Sequence, residues 1–171
     1  NDNVEILKRK MQDVFVLEGY DTLEKLLAYL LGKHQLSVST AESCTGGMIS
    51  SRLTSVSGAS QYFKGGIVAH SEFAKTNILD VSNETIAQFT VVSEKTVIEM
   101  ANHCRMKFET DFSISISGYL EDRDHQNEVW IGVSSKNKNE AHQFFLKGNR
   151  KMNTEMASNL AIDFLITFIL K

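Results

Sequence analysis

The sequence predicts an α/β protein, a three-layer sandwich whose mixed, mostly parallel sheet is covered by helices on both faces. Three observations lead there. From residue 36 onward, runs of strand character alternate with runs of helical period. FSISIS at 112–117 alternates apolar and small polar residues and runs into Gly118. EVWIGVSS and AHQFFL then follow one another without a helical segment between them, so they read as a hairpin that supplies an antiparallel edge.

The individual elements follow in chain order. VEILKRKMQDVFVLEGY at 4–20 reads as a short helix and a small strand, VFVL. Asp21 and Thr22 then cap an amphipathic helix, LEKLLAYLLGK, at 23–33. A strand at 36–41 leads into a helix over about 46–54, and a Ser/Gly linker precedes the strand FKGGIVAH at 63–70. A helix at 72–79 is followed by a longer one, carried by 96–106, with Ser93 as its N-cap. After the 112–117 strand and the hairpin comes a final helix over about 151–169. The chain contains no proline, so its turns are left to Gly, Asn, Asp and Ser.

Composition excludes several functions. A chain of 171 residues with 42% apolar content suits one domain with a buried core. Its formal charge of −3, with Lys and Arg scattered, argues against nucleic acid as a partner. No apolar run approaches the roughly 20 residues that span a bilayer, and NDNVEILKRK lacks a signal-peptide layout, so no membrane role and a cytoplasmic location are expected. Cys44 and Cys104 belong to no CxxC or Cys/His cluster, which points to free thiols and to no metal site. Because the chain opens on Asn1, a fragment of a longer polypeptide and a trimmed chain are both open readings.

Chemistry concentrates in LSVSTAESCTGG at 36–47, a buried strand that turns on Gly46 and Gly47 into a helix start, where free N–H groups bind oxyanions and phosphates. In α/β sheets ligands sit at the carboxyl ends of strands, so 42–47, 70–75, 117–122 and 148–150 are expected to converge. Ser43 is the candidate nucleophile, and Lys75, with a desolvated amine, its candidate base. Cys44 at the same helix start is a rival nucleophile, since a helix N-terminus favours a thiolate. Each has a blander reading. A serine before a glycine turn is more often a cap, a lone lysine on a helix is usually solvated, and an arginine opening a helix, such as Arg150, is often just exposed. His70 at a strand end is more often structural than catalytic, and His34, His103, His125 and His142 have no evident partners.

TAESCTGG at 40–47 resembles the signature of the CinA C-terminal domain family, the competence/damage-inducible proteins. The likeness continues through GASQYFKGGIVAHSEFAK at 58–75 with its Ser-x-x-x-Lys end, VVSEKTVIEMA at 91–101, the SISISG strand, VWIGV, and KGNR with its terminal helix. It covers about residues 22–170. Residues 1–21 accordingly read as a lead-in or interdomain linker, and 22–171 as the domain itself. The resemblance implies a nicotinamide-nucleotide amidase, converting nicotinamide mononucleotide to nicotinate mononucleotide and ammonia with neither metal nor cofactor.

Carried onto this chain, the family's pattern makes Ser43 the nucleophile and Lys75 the proton carrier. Glu42 and Thr45 would fix the turn, while N–H groups near Thr45, Gly46 and Gly47 would hold the oxyanion. Ser71, Ser117, Gly118 and His70 would line the pocket, and Arg150 would meet the phosphate. An N-terminal pyrophosphatase-like domain and a homo-oligomer are the implied partners, the latter with Phe144, Phe145, Phe164 and Phe168 as candidate contacts, although these also read as core.

Three departures separate this chain from the family's pattern. Where Tyr-Ser-Asn is usual, it carries His70-Ser71-Glu72, placing a carboxylate near an anionic substrate. The Gly/Pro-rich segment is replaced by a charged run from Gly118 to His125. A second arginine one turn after Arg150 is Thr154. Two hypotheses therefore stand: an amidase acting on a pyridine nucleotide, or a catalytically silent domain for binding or assembly. The first requires Ser43 Oγ within reach of the Lys75 amine beside an open cavity; the second has Glu72 or the 119–125 loop filling it.

Overall fold

A computed structural model describes residues 20–121, 124 and 126–171. The helix and strand expected within 4–20 fall almost wholly outside them. Five strands form one sheet: β1 (Val38–Glu42), β2 (Phe63–Val68), β3 (Phe112–Gly118), β4 (Glu128–Ser135) and β5 (Asn139–Phe145), in the order β2-β1-β3-β4-β5. β2 and β3 run parallel to β1, β4 is antiparallel to β3, and β5 is antiparallel to β4. Every strand but β4 thus shares one direction, as the expected mixed, mostly parallel sheet requires.

The helices are α1 (Leu23–His34), α2 (Met48–Thr54), α3 (Glu72–Asn77), α4 (Asn83–Phe89), α5 (Glu94–Phe108) and α6 (Arg150–Ile169). Thr22 and Ser93 cap α1 and α5, accepting from Lys25 N and Thr96 N. On one face, α1, α2 and α6 pack leucines, Ile49 and Phe164 against Val38, Ile114, Ile116, Val129, Ile131 and Val133. Phe164 and Phe168 belong to this core, and His142 of β5 stacks on Phe164 with 4.3 Å between ring centres. Of the phenylalanines considered for self-association, Phe145 is the one that is more than half exposed.

The other face is built for close approach. Ser113, Ser115 and Ser117 alternate with the core isoleucines of β3 and point the opposite way. Their hydroxyls donate to the carbonyls of Ala101 at 2.8 Å, Val97 at 2.5 Å and Val91 at 2.7 Å. Small side chains let α5 lie close to the sheet, and each buried hydroxyl finds an acceptor on α5 or, for Ser117, on the segment just before it. Gly132, opposite Ser115, has the same role: a Cβ at that position would meet the Val97 carbonyl oxygen at 2.7 Å.

One helix has no counterpart in the sequence reading. NETIAQF buries a single residue, Ile86, and so shows no apolar stripe. Tertiary contacts hold it, with Glu99 of α5 accepting from Ser82 N at 2.8 Å and Thr85 Oγ1 at 2.5 Å.

Candidate active site

β1 ends in a tight turn that fixes Ser43. Its N–H still donates to Ile116 O of β3 at 3.0 Å, and its carbonyl accepts from Gly46 N at 3.2 Å. Gly46 and Gly47 have φ of +61° and +99°, a left-handed path that glycine adopts without strain. α2 then begins with no side-chain cap from Gly47. The carboxylate of Glu42, fully buried at the end of β1, takes that part. Its Oε2 accepts from Thr45 Oγ1 at 2.7 Å, Ile49 N at 3.0 Å and Gly47 N at 3.1 Å. Its Oε1 accepts from Ser50 Oγ at 2.6 Å and Ser50 N at 2.8 Å. A negative group thereby meets the orphan donors and positive end of α2.

This arrangement corrects the sequence reading of the oxyanion site. The N–H groups of Gly46 and Gly47 are occupied within the turn, and Glu42 and Thr45 are bonded to each other beneath it, outside the cleft lining. The N–H groups of Cys44 and Thr45, directly after Ser43, donate to no backbone carbonyl among the described residues.

Lys75 reaches this turn from α3. Ser71 caps that helix, accepting from Ala74 N at 3.1 Å, and so is used structurally and does not line the cleft as expected. Lys75 itself is only 2% exposed, in contrast to the solvated lysine of the bland reading. Its Nζ donates to Ser43 Oγ at 2.8 Å and to Ala69 O at 2.9 Å. Burial holds its pKa below the ordinary lysine value, against smaller opposing effects from Cys44 and Glu72. No carboxylate forms an ion pair with it among the described residues.

The pair opens onto a cleft of about 300 Å³. The expected strand ends do converge there: Ser43 and Cys44, His70 and Lys75, Ser117 to Glu121, and Arg150 all line it, together with Val91 and Val92. His70 Nδ1 lies 3.3 Å from Ser43 O, a bond made when Nδ1 carries the proton. At Gly118 a Cβ would sit 2.6 Å from Glu128 O, so the strand end is restricted to glycine. Arg150 is the first residue of α6, after the N-cap Asn149, and forms no ion pair among the described residues. The carboxylate in the lining is Glu121; Glu72, the one expected to oppose an anionic substrate, is exposed and outside it. Neither Glu72 nor residues 119–121 close the cleft, and residues 122, 123 and 125 of the loop expected to fill it lie outside the described residues.

Burial argues against Cys44 as the rival nucleophile: it is 9% exposed, and desolvation pushes its thiol up to about 12, outweighing its own backbone N–H and the nearby Lys75. Alkylation by iodoacetamide at pH 8 is accordingly expected to be far slower than for an exposed thiol, and Cys44→Ala to keep its activity within about threefold. Rapid labelling with parallel loss of activity would restore the cysteine reading.

Sequence reasoning missed the cleft-lining Val91 and Val92, which carry no legible signal of that role. Among the described residues no group of three or more His, Cys, Asp or Glu is placed to hold a metal, and no helix is long and apolar enough to cross a membrane.

An α/β sandwich with a serine and a desolvated lysine meeting at the carboxyl edge of its sheet is the class of protein this fold and site define. The chain belongs to the CinA C-terminal domain family, whose model matches residues 20–169. A CinA-like protein of Fervidobacterium nodosum is 37% identical over 171 residues, covering 97% of this chain and 42% of the relative. One of Flavobacterium psychrophilum is 38% identical over 159 residues, covering 90% and 38%. The chain thus spans about two fifths of the length of these curated relatives. A crystal structure of a competence or damage-inducible protein from Enterobacter asburiae superposes with a TM-score of 0.82 at 34% identity, covering 86% of this chain and 96% of that one.

Proposed function

We propose that this domain hydrolyses the carboxamide of nicotinamide mononucleotide, releasing ammonia and nicotinate mononucleotide. The observation that carries the reading is the 2.8 Å contact of a buried lysine amine with Ser43 Oγ beside an open cleft. Because desolvation favours the neutral amine, Lys75 is suited to accept the Ser43 proton. Oγ then bonds to the carboxamide carbon, and the N–H groups of Cys44 and Thr45, which no backbone carbonyl takes, are the donors for the oxyanion. On collapse the C–N bond breaks, Lys75 returns its proton to the departing nitrogen, and ammonia leaves an acyl ester on Ser43. Water, deprotonated by Lys75, adds to the ester carbon, releases the carboxylate and restores the Ser43 hydroxyl. Arg150 meets the phosphate, and the cleft volume suits a ligand of modest size. The relatives' greater length fits the proposal of a pyrophosphatase-like partner domain; self-association and a cytoplasmic location are proposed with it.

The test is ammonia release from nicotinamide mononucleotide by the folded chain, with Ser43→Ala beside it. Release that falls by a factor of about a thousand or more in Ser43→Ala is expected. No release from a folded parent would favour the silent-domain reading.

A further inference from the structure

One buried amide beside the cleft has no part in the chemistry above. Asn153 lies three residues after Arg150 on α6 and is 2% exposed. Its Nδ2 donates to Leu120 O at 2.6 Å and to Gly148 O at 2.8 Å, and its Oδ1 accepts from Gly148 N at 2.8 Å. A single side chain thereby joins the loop after β3, the segment leaving β5 and the first turn of α6. Leu120 and Arg150 stand in two walls of the cleft, so these bonds fix the walls relative to each other. The fit is tight, since a Cβ on Gly148 would meet Asn153 Oδ1 at 2.9 Å.

We propose that Asn153 is a positioning residue for the substrate's phosphate, setting the place of the Arg150 guanidinium against the Leu120 wall. The proposal rests on the amidase reading. None of the Asn153 side-chain bonds reaches Ser43 or Lys75, which belong to the β1–α2 turn and to α3. Asn153 therefore acts on recognition of a phosphorylated ligand and leaves the acyl-transfer step alone.

The experiment compares kcat and KM for nicotinamide mononucleotide and nicotinamide riboside in the parent, Asn153→Leu, Asn153→Asp, Arg150→Ala and the double variants. Calorimetric binding of the mononucleotide accompanies each. Asn153→Leu, similar in size without the polar atoms, is expected to raise KM for the mononucleotide about tenfold, with kcat within about twofold and riboside kinetics unchanged. In the Arg150→Ala background the same change adds less than about twofold, as for two residues acting through one contact. Should Asn153→Leu fail to fold, Asn153→Asp carries the same expectation, keeping the acceptor for Gly148 N and losing both donors.

Equal losses for mononucleotide and riboside, an undiminished penalty in Arg150→Ala, or failure of both Asn153 variants to fold would make Asn153 a general stabiliser and overturn the proposal. A parent that binds the mononucleotide without releasing ammonia sinks the amidase reading alone, and the comparison is then read in Kd. A parent that binds no mononucleotide overturns both.

Discussion

Lys75→Met is expected to lower kcat for ammonia release by about a thousandfold or more and to leave the fold intact, because methionine fills the site of the lysine stem without a basic nitrogen. In the parent, kcat/KM should rise with pH as Lys75 loses its proton, and the rise should come below the ordinary lysine value of 10.5, since burial lowers this pKa. Stability moves the same way. Between the lowered folded pKa and the unfolded value the unfolded chain binds more protons, so stability climbs with pH through that window and levels off above it. Below the window the cost of burying the charged amine is fully present. Removing the amine should therefore abolish that slope and, near neutral pH, raise the midpoint of thermal unfolding by about 2–4 °C, equivalent to about 1 kcal/mol in a domain of this size. Substantial turnover by Lys75→Met, or a rate profile flat through the window, would remove Lys75 as the base.

Glu42→Gln should cost more stability than any other single-atom-scale change near the site. Five donors converge on the two carboxylate oxygens, and an amide offers one oxygen together with an NH2 that faces donors. Leaving buried donors unmatched, and α2 without its negative cap, is expected to cost about 3 kcal/mol, a drop of roughly 6–12 °C in a thermal melt. Activity should fall with it even below the melt, since the same carboxylate holds the turn that aims Ser43. A melt within about 1 °C of the parent would mean that Glu42 contributes little to the turn.

Much of the frame was legible because its causes are local. Thr22 and Ser93 cap helices within three residues of themselves, and FSISIS states its two faces by its period. The rule that ligands gather at strand carboxyl ends brought 42–47, 70–75, 117–122 and 148–150 together before any coordinates. The TAESCTGG run and the Ser-x-x-x-Lys end named Ser43 and Lys75.

What each of those groups does was decided elsewhere. Ser43 and Lys75 are 32 residues apart, Asn153 and Leu120 are 33 apart, and no local period reports such a contact. Whether Lys75 is solvated or desolvated depends on the sheet and α3 enclosing it, and that enclosure sets the direction of its pKa. The same holds for the reversals. The N–H groups of Gly46 and Gly47 were assigned to a ligand until Ser43 O and Glu42 proved to accept from them, and Cys44 stood as a rival nucleophile until its burial pushed its thiol up. The sequence by itself determined the strands with their faces, the helices that carry an apolar stripe and the caps of Thr22 and Ser93, because hydrogen bonds and side-chain periods within a few residues specify them, while Ser43 and Lys75 were singled out by family resemblance. The tertiary structure alone decided burial, donor occupancy and the width of the cleft, because desolvation and long-range hydrogen bonds exist only once distant segments pack.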